Sequence, residues 1–239
     1  MLEEIRALAR SIDRRTGALM RHSQIKHVQQ IEAYLSLITF LQPRFPFPPM
    51  DMGAIAPDLA LLFASKILES SPSLIVEMGS GISTLVAGYC LQRNNAGRII
   101  SLEHDPHWAR KTERSIRLHD LSEYVEVIHA PLRAQNIKGD TWVWYDTACL
   151  SSIQPGTIDF LFVDGPPGRL RKLSRYPALP FLFEKLSDNP LIFVDDATRT
   201  DESQMVGLWL QEYPSLRSVL LKTAKGTSIL TFKECHSRK

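Results

Sequence analysis

The stretch "VEMGSGIST" places an acidic residue two positions before the first of two glycines. Glu77 belongs to the end of a predicted strand, Gly79 and Gly81 follow it, and a segment with helical spacing begins after them. Glycines let the backbone turn sharply and let a ligand approach without a Cβ atom in the way. A glycine loop between a strand and a helix predicts a cofactor-binding site, and an ordinary strand-to-helix turn is the alternative.

Two cofactors compete for this loop. A dinucleotide favours G-x-G-x-x-G, with its pyrophosphate on the helix amides, but Thr84 stands where the third glycine would be. The negative charge of Glu77 favours a cationic ligand, and S-adenosylmethionine carries an ammonium and a sulfonium group and no phosphate. Glu103 closes the next predicted strand, where a carboxylate is suited to accept hydrogen bonds from ribose hydroxyls. Glu103 therefore supports an adenosine cofactor without choosing between the two.

The elements that must position these residues alternate between short apolar runs and longer amphipathic stretches. Continuous apolar strands alternating with helices predict an α/β fold, with a parallel sheet covered by helices on both faces. The segments "SLRSVLLKT" and "TSILTFKE", joined by a glycine turn, predict a hairpin that sets an antiparallel strand into the parallel sheet. The main strands are predicted at 73–78, 98–103, 125–130, 158–164 and 190–196, and the helices at 57–69, 83–92, 106–118, 170–186 and 201–211.

A helical extension precedes this α/β unit. Apolar residues at helical spacing run through residues 1–41, and the proline-rich stretch "QPRFPFPPMDMGAIAPD" then breaks the pattern, because proline lacks an amide donor and fixes φ. We expect residues 1–49 to form an N-terminal helical extension and proline-rich loop, and residues 50–239 to form the main domain. The extension is expected to pack on the main domain, to form a homo-oligomer with a second copy, or to remain a solvated appendage.

Composition narrows the function classes. The chain has 239 residues, 44% of them hydrophobic, so it can bury a sizeable core. A formal net charge of +2 is too small to indicate nucleic-acid or membrane partners from charge alone. The three cysteines lack metal-ligand spacing, and no apolar run matches a signal peptide or a transmembrane helix. We therefore expect a reduced, cytoplasmic protein.

An ordered set of five motifs carries a family resemblance: "VEMGSGIST", "IISLEHD", "IDFLFVDGPPG", "RYPALP" and "LIFVDDATR". Together they resemble the class I S-adenosylmethionine-dependent methyltransferases, and especially a bacterial branch with the VDGPPG signature (methyltransferase family 24-like). The resemblance covers about residues 50–232. It implies a Rossmann-like doubly wound sheet of seven strands in the order 3-2-1-4-5-7-6, with the last inserted strand antiparallel.

The resemblance also implies which residues hold the cofactor. The glycine loop and the start of the next helix would line the methionine part, Glu103 would hold the ribose, and His104 and Asp105 would flank the adenosine. Capping of the following helix is the alternative role for His104 and Asp105. The implied cofactor-binding residues are Glu77, Gly79, Ser80, Gly81, Ser83, Thr84, Glu103, His104, Ala130 and Asp164.

Three aspartates are candidates for the chemistry. Methyl transfer is an in-line displacement, and a hydroxyl acceptor usually has to lose its proton. Asp164 ends the fourth main strand, and Asp195 and Asp196 end the fifth, its neighbour in the implied topology, so their carboxylates are expected to converge. Such a cluster repels itself unless protons or a cation are present.

Three roles for this cluster stay open. In the first, Asp164, Asp195 and Asp196 bind a divalent metal such as Mg²⁺, similar to the site of catechol-type O-methyltransferases. The chain departs from that type, because no lysine follows "GPPG" closely. In the second, Asp164 or Asp195 is a metal-free general base. In the third, Asp196 caps the following helix while Arg199 neutralises the pair.

The acceptor is indicated only by charge. Arg169, Arg171, Lys172 and Arg175 follow the "GPPG" turn and would receive an anionic small molecule or glycan, or would be a solvated helix start. We expect an enzyme that methylates an oxygen of a small molecule or sugar derivative. The alternatives are an S-adenosylmethionine-binding module without turnover and a nicotinamide-dependent oxidoreductase, which the missing third glycine disfavours.

Overall fold

The structure is a computed structural model that describes residues 24–50 and 53–233. The predicted helical segment before residue 24 and Cys235 lie outside the described residues. The helices are α1 (residues 24–41), α2 (Pro57–Ser70), α3 (Ile82–Asn94), α4 (Pro106–Leu118), α5 (Ala178–Leu182) and α6 (Thr200–Glu212). The strands are β1 (Leu74–Met78), β2 (Arg98–Glu103), β3 (Val125–His129), β4 (Leu132–Ile137), β5 (Asp140–Tyr145), β6 (Ile158–Val163), β7 (Leu186–Val194), β8 (Leu216–Leu221) and β9 (Thr227–Phe232).

Seven strands form one mixed sheet in the order β3-β2-β1-β6-β7-β9-β8. The pairs among β3, β2, β1, β6 and β7 are parallel, whereas β9 runs antiparallel to both β7 and β8. Strand order reverses beside β1, where the chain leaves for β2 on one side and β6 lies on the other. The predicted α/β fold class, strand order and antiparallel insertion are confirmed.

Helices cover both faces of this sheet because the central strands are apolar on both sides. In β1, Val76 and Met78 face a core that includes Trp209 of α6, whereas Ile75 faces the opposite core with Phe63 of α2. These five side chains are at most 1% exposed. Continuous burial of this kind is typical of parallel strands between two helical layers. Because β3, β2, β1, β6 and β7 run parallel, their carboxyl ends lie at one edge of the sheet.

The prediction of a helix over residues 170–186 is wrong. Only the short helix α5 forms there, with single 3₁₀ turns before and after it. Leu173 has a φ of 58°, which redirects the chain, and Pro177 and Pro180 cannot continue a helical hydrogen-bond ladder. The fifth main strand also begins earlier than predicted, at Leu186, which pairs with Ile158 before the register shifts between Ile158 and Phe160.

A hairpin between the third and fourth main strands was not predicted. β4 and β5 pair only with each other in a separate two-stranded sheet. Lys138 and Gly139 join them, and both have positive φ, as the tight turns that suit strand twist require. Trp142 and Trp144 are buried in the core while Val143 between them is 44% exposed. The hairpin is therefore held by alternate aromatic side chains.

Helix α1 has apolar residues on two faces. Ala33, Leu37 and Leu41 are buried against the domain. Four apolar residues on the rest of its surface are more than half exposed, namely Ile25, Val28, Ile31 and Leu35. The predicted homo-oligomer through this region stays a prediction. Among the described residues, every helix is too short or too polar to cross a membrane.

Candidate active site

A cavity of about 430 Å³ opens at the carboxyl ends of β1, β2 and β6. Its volume falls within the range of about 300–1,000 Å³ that is usual for small-molecule sites. In a doubly wound sheet, ligands bind at this edge, where the strand order reverses. The lining residues are Pro48, Pro49, Gly53, Ala54, Ile55, Gly79, Ser80, Gly81, Ile82, Ser83, Leu85, Glu103, His104, Asp105, Trp108, Lys111, Thr112, Ser115, Tyr145, Asp164, Gly165, Pro167 and Arg169.

The glycine loop forms one wall of the cavity. Gly79 has a φ of 97°, in the left-handed region that side chains rarely adopt, and its amide donates to the Leu102 carbonyl at 2.8 Å. A Cβ on Gly81 would meet no atom within 4 Å, so this glycine leaves open space at the start of α3. The loop thus turns sharply and exposes backbone, as the sequence motif predicts.

Two of the predicted cofactor-binding residues lie beneath the loop instead of in the cavity wall. Glu77 is fully buried, and its Oε2 accepts hydrogen bonds from Thr84 and Ser101, each at 2.6 Å. Thr84 is also fully buried, and its hydroxyl accepts from the Gly81 amide. Burial raises the pKa of Glu77 to about 6 despite these hydrogen bonds. Glu77 therefore holds the loop from below, and Ala130, 2% exposed, is similarly enclosed.

Glu103 links the ends of β1 and β2. Its Oε2 accepts from the Ser80 amide at 3.1 Å, and its Oε1 accepts from the Asp105 amide at 2.9 Å and lies 2.9 Å from Nδ1 of His104. Burial alone would raise the pKa of Glu103, but the hydrogen bonds and His104 lower it below the ordinary value. Glu103 is therefore an anion at neutral pH. Asp105 caps α4 by accepting from the amides of His107 and Trp108.

The three predicted aspartates converge beside this cavity. Asp164 follows β6, and Asp195 and Asp196 follow β7. One carboxylate oxygen from each lies within 4.8 Å of the others. Asp164 lines the cavity with its side chain 21% exposed, whereas the side chains of Asp195 and Asp196 are 1% and 5% exposed. Asp196 has a φ of 60°, which turns the chain back at the end of β7.

Arg175 enters the centre of this cluster. Its Nη2 lies 3.1 Å from Asp164 Oδ1 and 3.1 Å from Asp196 Oδ2, and its Nη1 donates to the Asp195 carbonyl. Its Nε lies 3.7 Å from Glu202 Oε1. Neither expected role of Arg175 fits this position, because a side chain that is only 4% exposed and paired with carboxylates of the protein is neither free for an anionic acceptor nor part of a solvated helix start. Leu173, two residues before Arg175, has a φ of 58°, so the chain turns just before this side chain.

The charges set the protonation of the cluster. Burial raises the pKa of Asp164 to about 7, although the charge of Arg175 opposes the shift. Burial and the charge of Asp196 raise the pKa of Asp195 as well. Burial opposes the positive charge of Arg175, but Asp164, Asp196 and Glu202 together raise its pKa above the ordinary value. Arg175 is therefore a permanent cation, and Asp164 can take up or release a proton near neutral pH.

A family model described as a methyltransferase domain matches residues 76–197, slightly more than half of the chain. The chain belongs to this methyltransferase family. The match spans the glycine loop, Glu103, the inserted hairpin and the aspartate cluster. The resemblance to class I S-adenosylmethionine-dependent methyltransferases is confirmed at the level of the family. A search of curated proteins found no match to the sequence of this methyltransferase.

Solved structures share the fold of the methyltransferase. The SAH-bound methyltransferase PaMTH1 of Podospora anserina superposes with a TM-score of 0.58 at 17% identity, covering 84% of this chain and 88% of that one. An O-methyltransferase of Bacillus cereus in complex with SAH gives 0.56 at 17%, covering 84% and 91%. The O-methyltransferase TomG of Streptomyces achromogenes in complex with SAM gives 0.56 at 15%, covering 85% and 89%. At these identities the likeness shows the fold alone.

The proline-rich segment of the methyltransferase closes one side of the cavity through Pro48, Pro49 and residues 53–55. The loop between β8 and β9 ties this segment down. Lys225 Nζ donates to the Ala54 carbonyl at 2.6 Å, and the Ala224 amide donates to Asp58 Oδ2 at 2.7 Å. The segment before α2 and the first turn of α2 are thus both fixed by the loop between β8 and β9.

A divalent metal ion does not fit the aspartate cluster as it is arranged. Carboxylate oxygens within 4.8 Å of one another would suit a hard cation, but Nη2 of Arg175 already lies between two of them. Arg199 Nη1 lies 2.8 Å from Asp196, and Lys225 Nζ lies 3.9 Å from Asp195. Among the described residues, this cluster brings together four carboxylates and three basic side chains: Asp164, Asp195, Asp196, Glu202, Arg175, Arg199 and Lys225.

Proposed function

We propose that the protein transfers the methyl group of S-adenosylmethionine to an oxygen atom of a small molecule or sugar derivative. The supporting observation is one cavity that combines the glycine loop, Glu103 and Asp164 at the carboxyl ends of three adjacent strands. The carboxylates of Glu103 and Asp164 in the cavity wall suit a ligand that carries an ammonium and a sulfonium group. The open space beside Gly81 supports assigning the methionine part to the glycine loop, and the end position of Glu103 on β2 supports assigning it to the ribose hydroxyls.

In this proposal Asp164 is the general base. The acceptor hydroxyl gives its proton to Asp164 while an oxygen lone pair attacks the methyl carbon, and the carbon–sulfur bond breaks with its electron pair on sulfur. S-adenosylhomocysteine leaves as a neutral thioether. A pKa near 7 suits a base that works at neutral pH. Asp195 is enclosed, so we assign it to fixing Lys225 and the Asp196 amide instead of to proton transfer.

We further propose that the cluster works without a metal, because Arg175 supplies the positive charge that a cation would supply. We expect turnover to be unchanged, within about twofold, after EDTA treatment and dialysis, and to be unaffected by added Mg²⁺. Turnover would be measured across a Mg²⁺ titration of the stripped protein. Strict dependence on Mg²⁺ would show that Arg175 moves aside for an ion and would restore the metal site at Asp164, Asp195 and Asp196.

An acidic group on the acceptor is part of the proposal. Of the four basic residues after the "GPPG" turn, Arg169 lines the cavity. The guanidinium of Arg171 lies 3.8 Å from the Trp142 ring centroid and donates to the Thr141 carbonyl, and Lys172 is exposed. Arg169 is exposed, lines the same cavity as Asp164, and has no ion pair within the described part of the chain. A carboxylate or phosphate on the acceptor would complement it.

Calorimetry of S-adenosylhomocysteine with the purified protein tests the donor site. We expect micromolar binding, because this product shares the adenosine and the amino acid of the donor. A panel of hydroxylated acids and sugar derivatives would then be screened for methyl transfer from S-adenosylmethionine. Absence of binding would overturn the proposed function. Binding without turnover on any acceptor would favour a cofactor-binding module.

The substitution Glu103→Gln is expected to weaken S-adenosylhomocysteine binding by more than tenfold. A hydrogen bond to a charged group contributes about 1.5–3 kcal/mol, and the amide cannot replace the carboxylate toward both ribose hydroxyls and the Ser80 amide. Calorimetry measures the change. Glu113→Gln on the surface of α4 is the control, since Glu113 pairs only loosely with Arg117 at 3.9 Å. Equal affinities of the two variants would remove Glu103 from the site.

A further inference from the structure

One buried hydroxyl in the cavity is not used by the proposed mechanism. Tyr145 ends β5, its side chain is 0% exposed, and it lines the cavity. Its hydroxyl has no hydrogen-bond partner among the residues that the structure describes. Buried hydroxyls are nearly always paired, because leaving one unpaired costs the free energy of its lost hydration. An unpaired hydroxyl in a cavity wall indicates a partner that arrives with the ligand.

The hydroxyl lies where the ends of three strands meet. A Cβ atom added to Gly165 would collide with the Tyr145 hydroxyl. That added Cβ would also lie 3.1 Å from the Met78 carbonyl oxygen and 3.3 Å from Gly79 Cα, so the hydroxyl is close to the glycine loop. On the other side, the His104 ring lies edge-on with its centroid 6.2 Å from that of Tyr145. Gly165 thus leaves the space that the Tyr145 hydroxyl occupies, between the glycine loop and the end of β2.

The charges around Tyr145 keep its hydroxyl protonated. Burial, and then the charge of Glu103, raise the pKa of Tyr145 well above its ordinary value. Asp164 and Glu77 act in the same direction, and Arg175 opposes them. Tyr145 therefore remains a hydrogen-bond donor across the working pH range, and it cannot serve as a base.

We propose that the Tyr145 hydroxyl is a cofactor contact, which donates a hydrogen bond to the bound nucleoside where the ribose joins the methionine chain. This inference rests on the proposed function. Glu103 marks the ribose side and Gly79 marks the methionine side, and the hydroxyl lies between them. The ligand offers acceptors there, since the ribose carries oxygens with free lone pairs and the amino acid carries a carboxylate.

The substitution Tyr145→Phe tests this contact, because it removes the hydroxyl and keeps the ring. We expect the affinity for S-adenosylhomocysteine to fall about three- to tenfold, the range of one neutral hydrogen bond, while the melting temperature of the ligand-free protein stays equal or rises. In turnover assays, the KM for S-adenosylmethionine should rise by a similar factor while kcat changes less than twofold.

Tyr176→Phe is the matched control. Its hydroxyl donates to Glu212, with oxygen distances of 2.8 and 2.7 Å, so its removal should lower the melting temperature and leave the affinity unchanged. If Tyr145→Phe binds S-adenosylhomocysteine as tightly as the unchanged protein, the contact does not exist. A lower melting temperature with unchanged affinity would likewise assign the hydroxyl to the fold and overturn the inference. Failure of the unchanged protein to bind would instead overturn the proposed function.

Discussion

Arg175→Met is expected to be the most destabilising single substitution at the site. Removing one partner of a buried ionic cluster leaves uncompensated charge and costs about 3–5 kcal/mol. Arg175 contacts Asp164, Asp196 and Glu202, so methionine would leave Asp196 and Glu202 buried with much less positive charge nearby. In a chain of this size, that loss lowers the melting temperature by about 6–20 °C. Calorimetry or thermal unfolding followed by circular dichroism measures it.

The control for this substitution is Lys172→Met in the same loop. Lys172 is exposed, so its loss should change the melting temperature by less than about 2 °C. The double variant Arg175→Met, Glu202→Gln should recover part of the loss, because it removes one of the unpaired carboxylates. If Arg175→Met were as stable as Lys172→Met, the ionic cluster would not hold the ends of β6 and β7 together.

Asp164→Asn is expected to reduce kcat by at least about 100-fold while the protein stays folded. A positioned general base contributes about 10²–10⁴-fold, and asparagine has nearly the same shape but cannot accept the proton. Asp195→Asn should reduce kcat less, since Asp195 is enclosed. Asp188→Asn, an exposed position on β7, is the control. Steady-state kinetics measures kcat, and full activity of Asp164→Asn would contradict the assignment.

The pH dependence of activity follows from the same carboxyl group. The pKa of Asp164 is about 7 in the folded chain, so its ionised fraction and kcat/KM should rise with pH and level off above about pH 7. A bound cationic cofactor favours the ionised form of Asp164 and moves the rise in activity to lower pH. In Asp164→Asn, the residual kcat/KM should not show this rise with pH. Because the folded pKa exceeds the ordinary value of 3.8, ionisation of Asp164 also destabilises the fold progressively from about pH 4 to about pH 7.

Local patterns in the sequence predict the fold, and they predict which residues stand at the carboxyl edge of the sheet. Gly79 directly follows one apolar strand and Glu103 ends the next, so their positions at the sheet edge depend only on recognising those strands. Asp164 and Asp195 are predicted for the same reason. The prediction that their carboxylates converge also needed the order of the strands in the sheet, which the family resemblance supplied.

The remaining features depend on contacts between distant segments. Arg175 stands in a basic run that is typical of a solvated surface, and only the left-handed turn at Leu173 and the buried carboxylates explain its position. β4 has few apolar residues, and it is stabilised because Trp142 and Trp144 of its partner strand are buried in the main core. Because the hairpin is not evident from the sequence, neither is the cavity position of Tyr145. Alternation around the Lys138–Gly139 turn was the signal that would have found the hairpin.

The contacts between the final hairpin and the segment before α2 determine when the cavity is completed during synthesis. Asp58 and Ala224 are 166 positions apart, and Ala54 and Lys225 are 171 apart. A ribosome releases the chain from its N-terminus, so Lys225 cannot fix residues 53–55 until about 170 further residues have emerged. Contacts at such separation also form slowly, because a long loop must close first. The nascent chain can therefore assemble its parallel strands first, but the cavity is complete only when β8 and β9 join the sheet.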